Sequence, residues 1–306
     1  MVSTDSGTGS TDVSGAGAVR CSDVQVEPLA GSAKQETVHV VFEWPQGWSR
    51  DVLDGDTFGE DLTRRLKDRL DGVAGLQLIR QPGREGRQIE RHHLFLVFTD
   101  QARTEKLLVD GPEAILDLDL SGPGRNGAEE FTDPLVLVCT HGKRDVCCAV
   151  KGRPMAAELT ERHPGPVVWE TSHTKGHRFA PSLLVMPWGY SFGRLNEEAA
   201  SSLVAAARTG GYFHPGNRGR GLYGPRGQVA ELAVARRLLD AGESLRFGEL
   251  TVDHEDAAPG PRVMHADGRA WTVGLAEREV GGIVSSCGDE PKRGSVWVAQ
   301  DVRPVG

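Results

Sequence analysis

The feature that most constrains this chain is a buried strand that ends in a cysteine-rich turn. Pro134-Leu135-Val136-Leu137-Val138-Cys139 is an apolar, β-branched run that reads as a strand. CTHGKRDVCC, residues 139–148, follows at once and places three thiols within ten residues. The other two cysteines, Cys21 and Cys287, stand alone near the two ends. Five thiols is an odd number, and MVSTDSGTGSTDVSGAGA has neither the basic start nor the apolar stretch of a secretory signal. A disulfide framework is therefore disfavoured, and a metal or redox role in a soluble, cytoplasmic protein is expected. No run approaches 18 apolar residues, so no membrane span is expected. The net charge of −8 argues against a dedicated nucleic-acid binder.

The 306 residues suffice for about two domains. Residues 1–20 are Gly, Ser, Thr and Asp with almost no large apolar groups, and are expected to be a disordered leader. An α/β unit over 21–130 follows. It has a strand at 39–44, a helix at 57–71 whose stripe is Phe58, Leu62, Leu66 and Leu70, and strands at 76–79 and 93–98. SGPGRNGAEE, 121–130, marks its boundary. The unit over 131–243 repeats this order: the strand at 134–139, a helix at 152–163 with Pro154 in its first turn, and a strand at 167–170. A strand pair then turns at Pro187–Gly189, before helices at 196–211 and 228–242. The shared order suggests an internal duplication, although no residues match. From 244 to 306 short strands and turns, including a hairpin at Asp267-Gly268, make a small β module.

A second patch, SHTKGH at 172–177, lies just after the next strand. His173 and His177 are at i and i+4, close enough to bind one metal, and Gly176 favours a turn. Two thiolates and two imidazoles suit either zinc or an iron–sulfur cluster. The eight residues between Cys139 and Cys148 exceed the spacing of ordinary zinc fingers and better suit a loop over a two-iron cluster. On residue types alone both remain open.

The pattern Cys139, eight residues, Cys148, a gap, then His173-Thr174-Lys175-Gly176-His177 resembles the sucrase/ferredoxin-like family, whose motif is Cys-x8-Cys followed by His-x-Gly-Gly-His. VCTHGKRDVCCAVKGRPMAAEL, VWETSHTKGHRFAPSLLVMPWG and YGPRGQVAE share the likeness, as do RCSDVQVEPLAGSA and SSCGDEPKRGSVWV. Lys175 departs from it by replacing the first glycine. The resemblance implies an α/β protein with a thioredoxin-like ferredoxin domain. In that domain Cys139, Cys148, His173 and His177 hold a [2Fe–2S] cluster that exchanges electrons with a redox partner protein. Imidazole ligands would raise the potential, as would the nearby cations Lys143, Arg144, Lys175 and Arg178, and proton uptake would accompany reduction. A cluster-based redox or pH sensor and a structural zinc protein on the same ligands are the alternatives. An electron carrier is favoured over a hydrolase, because nothing pairs two carboxylates for glycoside hydrolysis. No Cys-x-x-Cys supports dithiol exchange.

Other readings are plainer. Strand alternation would turn Cys147 away from Cys148 and leave it a buried small hydrophobe. His141 is expected to be solvated, His163 to face a helix C-terminus and His214 to be structural. Cys21 and Cys287 read as separate packed thiols. The Gly/Arg segment 216–227, with Arg218, Arg220 and Arg226, reads first as a flexible loop and second as a docking patch.

Overall fold

The two α/β runs merge into one sheet. The computed structural model describes residues 19–256 and 258–305; the expected leader lies outside them except for exposed Val19 and Arg20. The first run forms β1 (Val38–Glu43), α1 (Glu60–Leu70), β2 (Gly75–Arg80), β3 (His92–Phe98), β4 (Arg103–Val109) and β5 (Glu129–Glu130). The second forms β6 (Leu135–Cys139), α2 (Val146–Arg162), β7 (Val168–Thr171), β8 (Ser182–Met186), β9 (Tyr190–Gly193), α3 (Glu197–Thr209), β10 (Asn217–Arg220) and α4 (Pro225–Asp240). The C-terminal strands are β11 (Leu250–Asp253), β12 (Arg262–His265), β13 (Ala270–Ile283) and β14 (Lys292–Val305).

Among the described residues the large sheet has ten strands in the order β10-β9-β8-β6-β7-β2-β1-β3-β4-β5. In the first half β1 runs parallel to β2 and antiparallel to β3, which pairs with β4. In the second half β6 runs parallel to β7 and antiparallel to β8, which pairs with β9. The halves thus share one strand order and one set of directions. They join where β2 pairs antiparallel with β7.

Strand alternation sends successive side chains to opposite faces. On one face of the second half, Val136 and Val138 of β6 pack with Met155, Ala156 and Leu159 of α2 and Leu203 of α3. In the first half Val40 and Phe42 pack with Leu66 and Leu70 of α1. The intervening residues Val41, Ile79, Leu135, Leu137 and Trp169 form a third cluster that crosses the seam between the halves. Helix α4 packs Ala230, Val234 and Leu238 against Leu250, Val263 and Trp271, seating the small antiparallel sheet β11-β12-β13-β14.

Three expectations need correction. Helix α2 starts at Val146, not 152, so Pro154 lies inside it. The Asp145 carboxylate accepts the Cys147 N–H at 2.9 Å and caps the new start. The C-terminal module is dominated by two fourteen-residue strands, β13 and β14, paired as one long hairpin. The Gly/Arg segment is neither a loop nor a patch: it supplies strand β10, with Arg218 and Arg220 buried, and the start of α4.

Candidate metal centre

Both halves of the expected ligand set leave the sheet at the carboxyl ends of adjacent parallel strands. Cys139 is the last residue of β6, and its register partner Thr171 ends β7, two residues before His173. Because α2 begins at Val146, Cys147 and Cys148 lie on its first turn and not on a strand. About 100° of helical rotation separates them and aims them at different neighbours. Gly152 brings the helix close: a β-carbon there would run into the Cys139 carbonyl oxygen.

Cys139, Cys148 and His173 each place a ligand atom within 4.8 Å of the others. Both thiols are buried, at 1% and 0% exposure, and His173 is partly buried. The His177 ring lies beside that of His173, with centroids 4.9 Å apart. The Nδ1 atoms of both rings are buried and have no hydrogen-bond partner. Buried polar atoms are ordinarily paired, so an orphan nitrogen on His173 beside two thiols suits a metal-binding set, and His177, which lies outside that 4.8 Å group, adjoins it through the His173 ring. His177 Nε2 lies 2.8 Å from Ser286 Oγ, which suits the tautomer with a proton on Nε2 and a free lone pair on Nδ1.

The pair of thiols behaves as one acid. The Cys148 thiol, as hydrogen-bond donor, holds Cys139 well below the ordinary thiol range, and the same contact with burial pushes Cys148 up. Burial, then the neighbouring His173, holds His177 below the usual imidazole range and keeps it neutral. A low thiol pKa and a neutral imidazole are the states in which both donate to a metal.

Several residues that the sequence left unremarkable support this set. His141 is buried at 2% exposure, not solvated. Its Nδ1 accepts the His173 N–H at 3.2 Å and its Nε2 donates to the Ser49 carbonyl at 2.7 Å, so it bridges the His173 backbone to the first half. Ser172 and Leu78 exchange two hydrogen bonds that anchor the loop to β2. Behind the turn, Arg218 donates to the Ser32 and Lys175 carbonyls and stacks on Phe179 at 4.8 Å. It leaves no room for a side chain at Gly176. Burial, then the nearby Arg178, brings its pKa down to about 9. Of the four cations expected to act on the centre, Arg178 is paired with Glu27, so its charge is offset. Arg144 and Lys175 instead line a small cleft beside His173 with Lys34, Arg50 and Asp51.

Cys21 and Cys287 are not separate packed thiols. They meet Cys147 in a second group, with Cys147 Sγ 3.6 Å from Cys21 Sγ and 3.3 Å from Cys287 Sγ. Among the described residues, two groups of side chains could therefore hold a metal ion.

The family model described as Sucrase/ferredoxin-like matches residues 29–219, more than half of the chain and all of Cys139, Cys148, His173 and His177. No curated protein and no solved structure matches the chain. No helix of the described residues is long and apolar enough to cross a membrane.

Proposed function

Because this chain belongs to the sucrase/ferredoxin-like family, we propose that Cys139, Cys148, His173 and His177 hold a [2Fe–2S] cluster and that the protein is an electron carrier. The observation that carries this reading is the pair of partnerless Nδ1 atoms on adjacent imidazoles beside two buried thiols. When bound, such a cluster takes up and releases one electron at a time, at a higher potential than an all-thiolate cluster.

The chain's own residues do the rest. Two thiolates and two neutral imidazoles bring less negative charge than four thiolates. Ser286 accepts the His177 Nε2 proton and fixes that ring, while His141 fixes the backbone of His173. His173 borders the cleft, so its ring is the one that solvent protons and a partner approach. Negative charge added beside a ligating imidazole favours the protonated form of its outer nitrogen, so electron uptake would bring a proton with it only where that nitrogen is ionised in the oxidised protein. Arg50, Arg144 and Lys175 against Asp51, with Lys34 paired to Glu36, leave the cleft cationic and suit an acidic redox partner.

Anaerobically purified full-length protein is expected to be red-brown, with about two irons and two sulfides per chain. Its dithionite-reduced EPR spectrum should carry the signature of mixed nitrogen and sulfur ligation. A colourless protein with zinc on two sulfurs and two nitrogens would replace this reading with a structural zinc site.

A further inference from the structure

Beside the first turn of α2, on a different side from Cys148, three thiols and a carboxylate converge from three distant stretches of chain. Cys21 comes from the N-terminal 3-10 turn, Asp145 and Cys147 from the start of α2, and Cys287 from the loop joining β13 and β14. Cys21 and Cys147 are fully buried, and Asp145 is 5% exposed. The three Sγ–Sγ distances are 3.6 Å for Cys21–Cys147, 3.3 Å for Cys147–Cys287 and 3.6 Å for Cys21–Cys287. Asp145 Oδ1 lies 3.3 Å from Cys287 Sγ, and Oδ2 lies 3.7 Å from Cys21 Sγ.

We propose that Cys21, Cys147, Cys287 and Asp145 bind a single divalent ion of the zinc type, in a structural site that adjoins the Cys/His centre, Asp145 Oδ2 lying 3.9 Å from His177 Nε2, but shares no ligand with it. A tetrahedron with zinc–sulfur bonds of about 2.3 Å has sulfur–sulfur edges of about 3.8 Å. The observed spacings fall slightly inside that figure for all three sulfur pairs. A cluster that binds one thiolate per iron would hold its sulfurs farther apart, so one ion fits and a multi-iron cluster does not. Four ligands of this kind make the closed coordination typical of structural zinc. The backbone already favours anionic ligands here. The Cys147 and Cys287 N–H groups donate to Asp145 at 2.9 Å each, and the Cys21 N–H points at Cys287 Sγ at 3.5 Å. The positive end of the α2 dipole lies at the same place. On binding, each thiol releases its proton to solvent as its sulfur forms a bond to the ion, with no change of oxidation state.

The site ties the 3-10 turn at Cys21 and the β13–β14 loop to α2. Cys21 and Cys287 both lie outside the stretch matched by the family model. The inference does not depend on what the Cys/His centre holds.

The test is zinc analysis and zinc K-edge absorption of the unmodified full-length protein after incubation with one equivalent of zinc and gel filtration. About one zinc per chain in a shell of three sulfurs and one oxygen is expected. Cys21→Ser and Cys287→Ser should each lower zinc retained against a chelator about tenfold or more, whereas Cys139→Ser should not. Three results would each overturn the proposal. One is that no zinc is retained, another is that all retained zinc lies in a shell of two sulfurs and two nitrogens even when a second equivalent is supplied. The third is a disulfide among Cys21, Cys147 and Cys287, seen as a mass loss in the unmodified protein.

Discussion

Lys175 holds a left-handed backbone conformation, φ 56°, between the two histidines of the centre. That region costs a residue with a β-carbon about 1–2 kcal/mol, and glycine does not bear that cost. A glycine at this position would take the same conformation without that cost. Lys175→Gly should preserve metal content and leave stability unchanged or raised by up to about 1 kcal/mol, since glycine's larger unfolded-state entropy offsets part of the gain. Thermal melts with iron analysis check this, and a loss beyond that size would show that the lysine side chain holds the turn. Gly176 answers to space and not to φ: Arg218 occupies the place a β-carbon would need.

At the scale of elements, α2 depends on one close approach. Alanine normally favours a helix interior over glycine by about 1 kcal/mol. At Gly152 the added carbon would meet the carbonyl of Cys139 at the end of β6. Gly152→Ala should therefore destabilise the protein by about 1–3 kcal/mol and lower metal content, because separating α2 from β6 separates Cys148 from Cys139. Helix α4 offers a second test. Glu231 is fully buried and accepts the hydroxyl hydrogen of Tyr190 from β9. Burial pushes its pKa up from 4.5 to about 7. Between those values the folded state keeps a proton that the unfolded chain has released, so stability is complete below pH 4.5 and falls as pH rises towards 7. Glu231→Gln should remove a slope on the order of 3 kcal/mol across that interval, read as denaturation midpoints from pH 4.5 to 8. An unchanged slope would place the titration elsewhere.

At the scale of the whole molecule, the two halves of the sheet meet through a short seam, with Ile79 opposite Thr171 and Arg80 opposite Glu170. Arg80 is buried, 2.7 Å from the Glu170 carboxylate, and lies over the Trp48 ring at 4.2 Å. Thr140 also donates to Glu170, so the ion pair adjoins the strand end that carries Cys139. Arg80→Met would leave a buried carboxylate unpaired and should cost about 3–5 kcal/mol; adding Glu170→Met should recover much of that loss. Denaturant melts of both variants check the seam, and equal losses in single and double variants would mean that packing, not charge, holds it.

Local chemistry alone carried much of this protein. The β-branched run that ends at Cys139, the apolar stripe of α1 and the apolar strands of both half-sheets depend on neighbours a few residues apart. The interval from Cys139 to Cys148 and the i, i+4 pair His173 and His177 are also local patterns, so the candidate ligands were readable as residues. Gly152 and Pro154 look like boundaries and place the start of α2 too late, whereas the Asp145 cap and packing on β6 outweigh them. The mixed polar and small residues of the β13–β14 hairpin give no continuous periodicity and read as short strands, while cross-strand pairing sustains the full length. The burial of His141 and Arg218 and the meeting of Cys21, Cys147 and Cys287 belong to tertiary structure alone. Cys21 and Cys287 are 266 residues apart. Contacts at such separations leave no periodic trace, because only the packing of the strands and helices between them decides which side chains finish face to face.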